Sequence, residues 1–236
     1  YYQGADIINM SFGGSGRSVL EEEALAVAYS NAVLIAAAGN SGAYNDLYCG
    51  PYASPSYPGA YPYVLGVMAE SQSVAPNGDW LTGFSNWDCT AKNGLEYEVM
   101  APGADILSTI PGNGYAAWDG TSMAAPVAAG MAALVRTRFN DKAVYSSRFI
   151  MGQLASTGGI KQGKTPPTPC SNCNPRFYAS ADALTALTEV PEPSLAYLEH
   201  YLFDSTTQDG NDGDGIVDAG ETIDLALVIK NYWGMA

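Results

Sequence analysis

The sequence predicts an α/β fold with a parallel sheet, and three stretches carry that prediction. Residues 5–12 and 32–38 read as apolar runs of strand length, the pattern of strands buried on both faces. Between them a helix is predicted from Ser18 to about Asn31, opened by a capping box at Ser18 and Glu21. Strand, helix and strand at this spacing imply parallel neighbours joined by a right-handed crossover. The third stretch, 122–139, reads as a helix so rich in alanine and glycine that neighbouring backbones can approach it closely, which predicts burial.

The remaining elements follow in chain order. The first helix is expected to turn Leu20, Ala24, Val27 and Ala28 inward. A long loop rich in Gly, Pro, Tyr and Ser spans 41–62, and strands are predicted at 63–69, 96–101 and 105–110. Asp141 is expected to cap a helix reaching Ser156, and Ser180 a short one running through Leu187, with a Pro- and Cys-rich loop at 164–175. From Glu189 the composition changes. Val-Pro-Glu-Pro reads as a linker, and 195–203 and 222–230 read as strands around an acidic turn. Residues 1–190 are therefore expected to form one domain, and 191–236 a linker and the start of a C-terminal β domain.

Composition narrows the class of function. The net charge of −14, with ten Lys plus Arg among 236 residues, argues against nucleic-acid or anionic-membrane partners. No apolar run reaches the length of a membrane span. Four cysteines, Cys49, Cys89, Cys170 and Cys173, read as disulfides of a secreted protein. A local Cys170–Cys173 bridge with Cys49–Cys89 is one arrangement, and the other pairings stay open. Zinc would need four ligands, and no second pair has suitable spacing.

Ser122 is the centre of the chemical reading. It stands where a Gly-Thr turn enters the alanine-rich helix, so free backbone N–H groups and the positive helix end favour a developing negative charge there. That environment suits a nucleophile, although an ordinary N-cap serine fits the same residues. Ligands of open parallel sheets bind beyond the carboxyl ends of the strands. Here those ends are Ser11-Phe12-Gly13-Gly14 and Ala38-Gly39-Asn40. Two glycine-containing strand ends side by side leave backbone groups free to pair with an extended peptide.

Residues 120–130 (GTSMAAPVAAG) resemble the active-serine motif of the subtilisin-like serine proteases, G-T-S-M-A-x-P-H-V-A-G, and depart from it at Val127 and Ala128. Residues 4–14 (GADIINMSFGG) resemble that family's substrate-binding strand and 36–42 (AAAGNSG) its oxyanion-hole segment. Residues 57–67 and 98–103 match as well, in the family's order. The resemblance covers roughly residues 1–190. It implies a subtilisin-like doubly wound parallel sheet, N-terminally truncated, followed by the start of a β-sandwich-like domain.

The resemblance also implies roles. Ser122 would be the nucleophile, Asn40 and the Ser122 N–H the oxyanion donors, and Thr121 a support for them. Ser11, Phe12 and Gly13 on one side, and Ala37, Ala38 and Gly39 on the other, would flank a polypeptide substrate; no charge in either strand would select Lys or Arg. In the family, the aspartate and histidine of the triad precede the substrate strand. The only histidine here is His200, whose neighbours do not match the family's histidine segment. The expectation is an endopeptidase lacking roughly a hundred residues by usual domain size, inactive alone, with room for a propeptide encoded upstream. The rival is a non-catalytic peptide- or calcium-binding piece of a secreted protein.

The acidic turn supports a structural calcium ion. Aligned on Gly215, it places Asp212, Asp214, Asp218 and Glu221 at positions three, five, nine and twelve of a calcium loop, with the Ile216 carbonyl at position seven. Position one is Gly210, a departure from that pattern that Asp209 could offset. Without a cation the same stretch reads as a solvated acidic hairpin.

Overall fold

A computed structural model describes residues 4–42, 44–45, 55–88, 97–164, 176–189, 195–203 and 224–231. In chain order the first elements are β1 (Ile7–Met10), α1 (Val19–Tyr29), β2 (Val33–Ala37), β3 (Tyr44–Asn45), β4 (Leu65–Glu70), β5 (Trp87–Asp88) and β6 (Val99–Pro102). Then come β7 (Ile106–Ile110), β8 (Gly114–Trp118), α2 (Thr121–Arg138), α3 (Ser147–Thr157), β9 (Gly159–Lys164), β10 (Arg176–Ser180) and α4 (Ala183–Thr188). A hairpin of β11 (Leu195–Phe203) and β12 (Asp224–Asn231) forms a sheet of its own.

The central sheet has six strands in the order β1-β2-β4-β6-β10-β9, parallel except for the antiparallel β10–β9 pair. Its middle explains its sequence. All five residues of β2 are buried, as are all six of β4, so each strand must be apolar on both faces. Val33, Ile35 and Ala37 face the side packed by α2 and α3, whereas Leu34 and Ala36 join the cluster on which α1 rests. Helices on both faces of a mostly parallel sheet make the arrangement doubly wound.

Position in the sheet corrects the reading of β1. Only Met10 is buried; Ile7 and Ile8 are half-buried and Asn9 is exposed, because β1 lies at the edge and pairs with β2 alone among the described strands. The inward face of α1 also differs from expectation. Leu20 and Val27 are 80% and 73% exposed, and Leu25 and Tyr29 pack in their place. Ala28 packs inward as expected and Ala24 is exposed, so the helix is apolar on two sides and the tyrosines beneath it select one. Tyr29 meets Tyr63 at 5.9 Å, Tyr63 stacks on Tyr61, and the Tyr63 hydroxyl donates to the Glu22 carbonyl at 2.6 Å.

Two caps move. Asp141 opens a turn, its carbonyl accepting from the Tyr145 N–H, and Ser146 caps α3 by accepting from Phe149 N–H at 3.3 Å. Arg136 holds that turn by donating to the carbonyls of Phe139 and Tyr145. Ser180 belongs to β10 and gives its hydroxyl to Glu70, so Asp182 caps α4 through Leu184 and Thr185 N–H. The strand expected at 105–110 pairs in a hairpin with β8 rather than in the main sheet, and β9 and β10 flank the stretch read as loop.

Helix α2 crosses the sheet with Ala124, Ala125, Ala128 and Ala132 fully buried. The backbone of the chain comes correspondingly near. A Cβ on Gly103 would lie 2.6 Å from Ala69 Cβ and 2.9 Å from the Gly120 carbonyl. The small side chains are thus a packing requirement. Enlarging Ala128 to leucine should cost about 1–3 kcal/mol by overpacking, seen as a lower urea midpoint at unchanged slope. An unchanged midpoint would mean that the helix has slack against the sheet.

Candidate active site

The carboxyl ends of β1 and β2 and the start of α2 meet in the structure. Helix α2 begins at Thr121 with Gly120 as its N-cap, so Ser122 is the second helical residue and not the cap. Its hydroxyl is therefore not occupied in capping. It donates to the Ser11 carbonyl at 3.1 Å, and Ser122 is half-buried.

The chain supplies a reason for Ser11 as well. In an α-helix the N–H of residue 126 would bond the carbonyl of residue 122, but Pro126 has no N–H. The Ser11 hydroxyl fills that place, donating to the Ser122 carbonyl at 2.8 Å, and Asn9 Nδ2 donates to Ser11 Oγ at 3.0 Å. Ser11 and Ser122 thus hold each other by reciprocal bonds across 111 residues of sequence.

Asn40 is exposed, but its amide is oriented. Its Oδ1 accepts from both the Thr121 N–H and the Thr121 hydroxyl, each at 2.8 Å. Buried Thr121 also accepts from the Gly39 N–H at 3.1 Å. With the oxygen committed to Thr121, the Asn40 Nδ2 group is left to donate elsewhere. It lies 3.5 Å from where a Cβ on Gly120 would stand, on the side of the helix entrance.

Of the expected substrate-flanking residues, Ala37 and Ala38 are buried and Phe12 is 61% exposed. Gly13 and Gly39, beyond the ends of β1 and β2, converge on one serine that sequence reading did not single out. A Cβ on Gly13 would stand 2.7 Å from Ser56 Oγ, and one on Gly39 would stand 3.2 Å from it. Gly39 also has φ +102°, a conformation that side chains resist. Gly14 pairs with Tyr57 through two backbone bonds, which fixes the β1 end against this segment. Asn86 was missed too; its bonds to 38–41 are long-range, and no local pattern announces them.

Ser122 has no hydrogen bond to an imidazole or carboxylate among the described residues. His200 is in β11, outside the sheet that carries the site. The acidic turn (Asp212, Asp214, Ile216, Asp218 and Glu221) and all four cysteines lie outside the described residues. No cluster of metal-ligating side chains occurs among the described ones, and no helix there is long and apolar enough to cross a membrane.

Residues 1–165 match the Subtilase family model. Subtilisin DY of Bacillus licheniformis is 37% identical over 155 residues, covering 65% of this chain and 50% of that protein. Subtilisin E of Bacillus subtilis (strain 168) is 39% identical over 134 residues, covering 56% of this chain and 31% of that protein. The chain thus spans half or less of the length of these relatives. Among solved structures, the S41 psychrophilic protease superposes with TM-score 0.59 at 30% identity, covering 75% of this chain and 58% of that one. Sphericase superposes with TM-score 0.58 at 27% identity, covering 74% and 55%.

The Ser11 bond makes a specific demand. Ser11→Ala should lower stability by about 1 kcal/mol by leaving the Ser122 carbonyl without its donor. Pro126→Ala restores a helical N–H, so the same Ser11→Ala change should cost measurably less in that background. Equal losses in urea denaturation of both backgrounds would contradict the substitution of hydroxyl for backbone.

Proposed function

The chain belongs to the subtilase family, and on that premise we propose that its parent protein is a serine endopeptidase acting through an acyl-enzyme on Ser122. The observation that carries the reading is the meeting of Ser122, the Asn40–Thr121 pair and two glycine-containing strand ends at one helix N-terminus. An extended polypeptide would lie between Ser11-Phe12-Gly13 and Ala37-Ala38-Gly39, pairing with the backbone of the first segment and resting its side chain against the second. Ser122 Oγ would attack the carbonyl carbon. The resulting oxyanion would accept from Asn40 Nδ2 and Ser122 N–H, and its negative charge would lie at the positive helix end. The uncharged walls favour large uncharged side chains before the cleaved bond.

The proton of Ser122 needs a base, and the only histidine of the sequence lies in β11. Base and orienting carboxylate are proposed to come from a part of the protein outside residues 1–236, which makes this piece inactive by itself. The same reading places the protein outside the cell, in keeping with four cysteines and a net charge of −14. It takes residues 191–236 as the opening of a C-terminal β domain. The turn between β11 and β12 would hold a structural calcium ion through Asp212, Asp214, the Ile216 carbonyl, Asp218 and Glu221. These hard oxygen donors suit calcium, which would neutralise the crowded carboxylates.

A fluorophosphonate probe tests the central reading. The full-length protein should be labelled on Ser122, and Ser122→Ala should abolish labelling. Asn40→Ala should lower kcat on a peptide substrate by on the order of a hundred- to a thousandfold. Failure of the folded protein to label would instead support a peptide-binding role without chemistry.

A further inference from the structure

Asn86 stands just before β5 and is 6% exposed. Its Nδ2 donates to the Ala38 carbonyl at 2.9 Å, and its Oδ1 accepts from the Ser41 N–H at 3.0 Å. Its own backbone N–H donates to the Gly39 carbonyl at 2.9 Å. Three hydrogen bonds from one residue therefore grip 38–41, on both sides of Asn40 and without using the Asn40 side chain.

The grip is itself anchored. Buried Ser85 accepts from the Ala69 N–H at the end of β4 and donates to the Asn86 carbonyl, both at 3.0 Å. Beyond the last residue of β2 the ladder with β4 continues only through Ala38 N–H to the Val67 carbonyl. Past that point the chain bends through Gly39 at φ +102°, and Asn86 supplies the pairing a strand neighbour would otherwise give. The fit is close, since a Cβ on Gly39 would stand 2.4 Å from Asn86 Nδ2. Among the described residues the Asn40 side chain is fastened through its oxygen, to Thr121. Where its Nδ2 points thus depends on two supports, Thr121 at the side-chain end and Asn86 at the backbone end.

We propose that Asn86 is a positioning residue for the oxyanion donor, fixing the backbone of 38–41 so that Asn40 Nδ2 meets charge that develops only in the transition state. This rests on the reading of Asn40 as that donor. A residue acting this way should leave substrate binding nearly untouched while slowing turnover. Small displacements of catalytic groups are costly, and a loss of roughly ten- to a hundredfold is expected.

The test is a double-mutant cycle in the full-length protein on a chromogenic peptide amide. Asn86→Ala should lower kcat by that factor with little change in KM, and should add almost nothing in an Asn40→Ala background. If Asn86→Ala does not fold, Asn86→Asp serves. It is isosteric and keeps an acceptor for Ser41, but sets an oxygen against the Ala38 carbonyl, and it should show the same pattern. Losses that multiply across the two backgrounds, or a loss confined to KM, would overturn the proposal and leave the Asn40 reading intact. Full kcat in Asn40→Ala alone would remove the oxyanion reading and this proposal with it.

Discussion

The site depends on one side-chain amide shared between two distant segments. Asn40 at the end of β2 and Thr121 at the first turn of α2 are 81 residues apart, yet two bonds of 2.8 Å join them and a third runs from Gly39 N–H to the Thr121 hydroxyl. These bonds tie the sheet to the helix where Ser122 sits. Breaking them would free the Asn40 amide to rotate, and the strand end would lose its register on the helix. Satisfied polar groups of this kind, here an exposed amide on a buried threonine, restrict geometry more than they add net stability.

That junction is possible because the surrounding backbones come unusually close. Alanines along α2, Gly103 against Gly120, and Gly13 and Gly39 against Ser56 all mark places where a larger side chain would meet its neighbour. Compact packing delivers Thr121 to Asn40, and Pro126 leaves the Ser122 carbonyl for Ser11. Packing and site are therefore coupled: the residues that make α2 fit are those that aim its first turn.

Much of this was legible in the sequence because the signals were local. The buried strands at 33–37 and 65–70, the helix at 121–138 and the hairpin strand at 195–203 each carry their own apolar or small-residue pattern. The structure also brings the motif residues Asn40 and Thr121 into contact next to Ser122. What stayed hidden depends on partners far along the chain. Leu20 and Leu25 on α1 are equally apolar, and only the Tyr61–Tyr63 platform decides which turns inward. Ser180 resembles a helix cap until Glu70, 110 residues earlier, claims its hydroxyl. β9 and β10 carry little strand pattern and exist through pairing with each other and, for β10, with β6. Ser56 and Asn86 have no motif, and their meaning lies in what a Cβ or an amide meets from a distant segment.

The most direct test of the account is a crystal structure of the full-length protein inactivated with a peptidyl phosphonate. Phosphorus should be bonded to Ser122 Oγ, with the phosphoryl oxygen about 2.7–3.1 Å from both Asn40 Nδ2 and the Ser122 N–H. An adduct on another residue, or a phosphoryl oxygen turned away from Asn40, would contradict it.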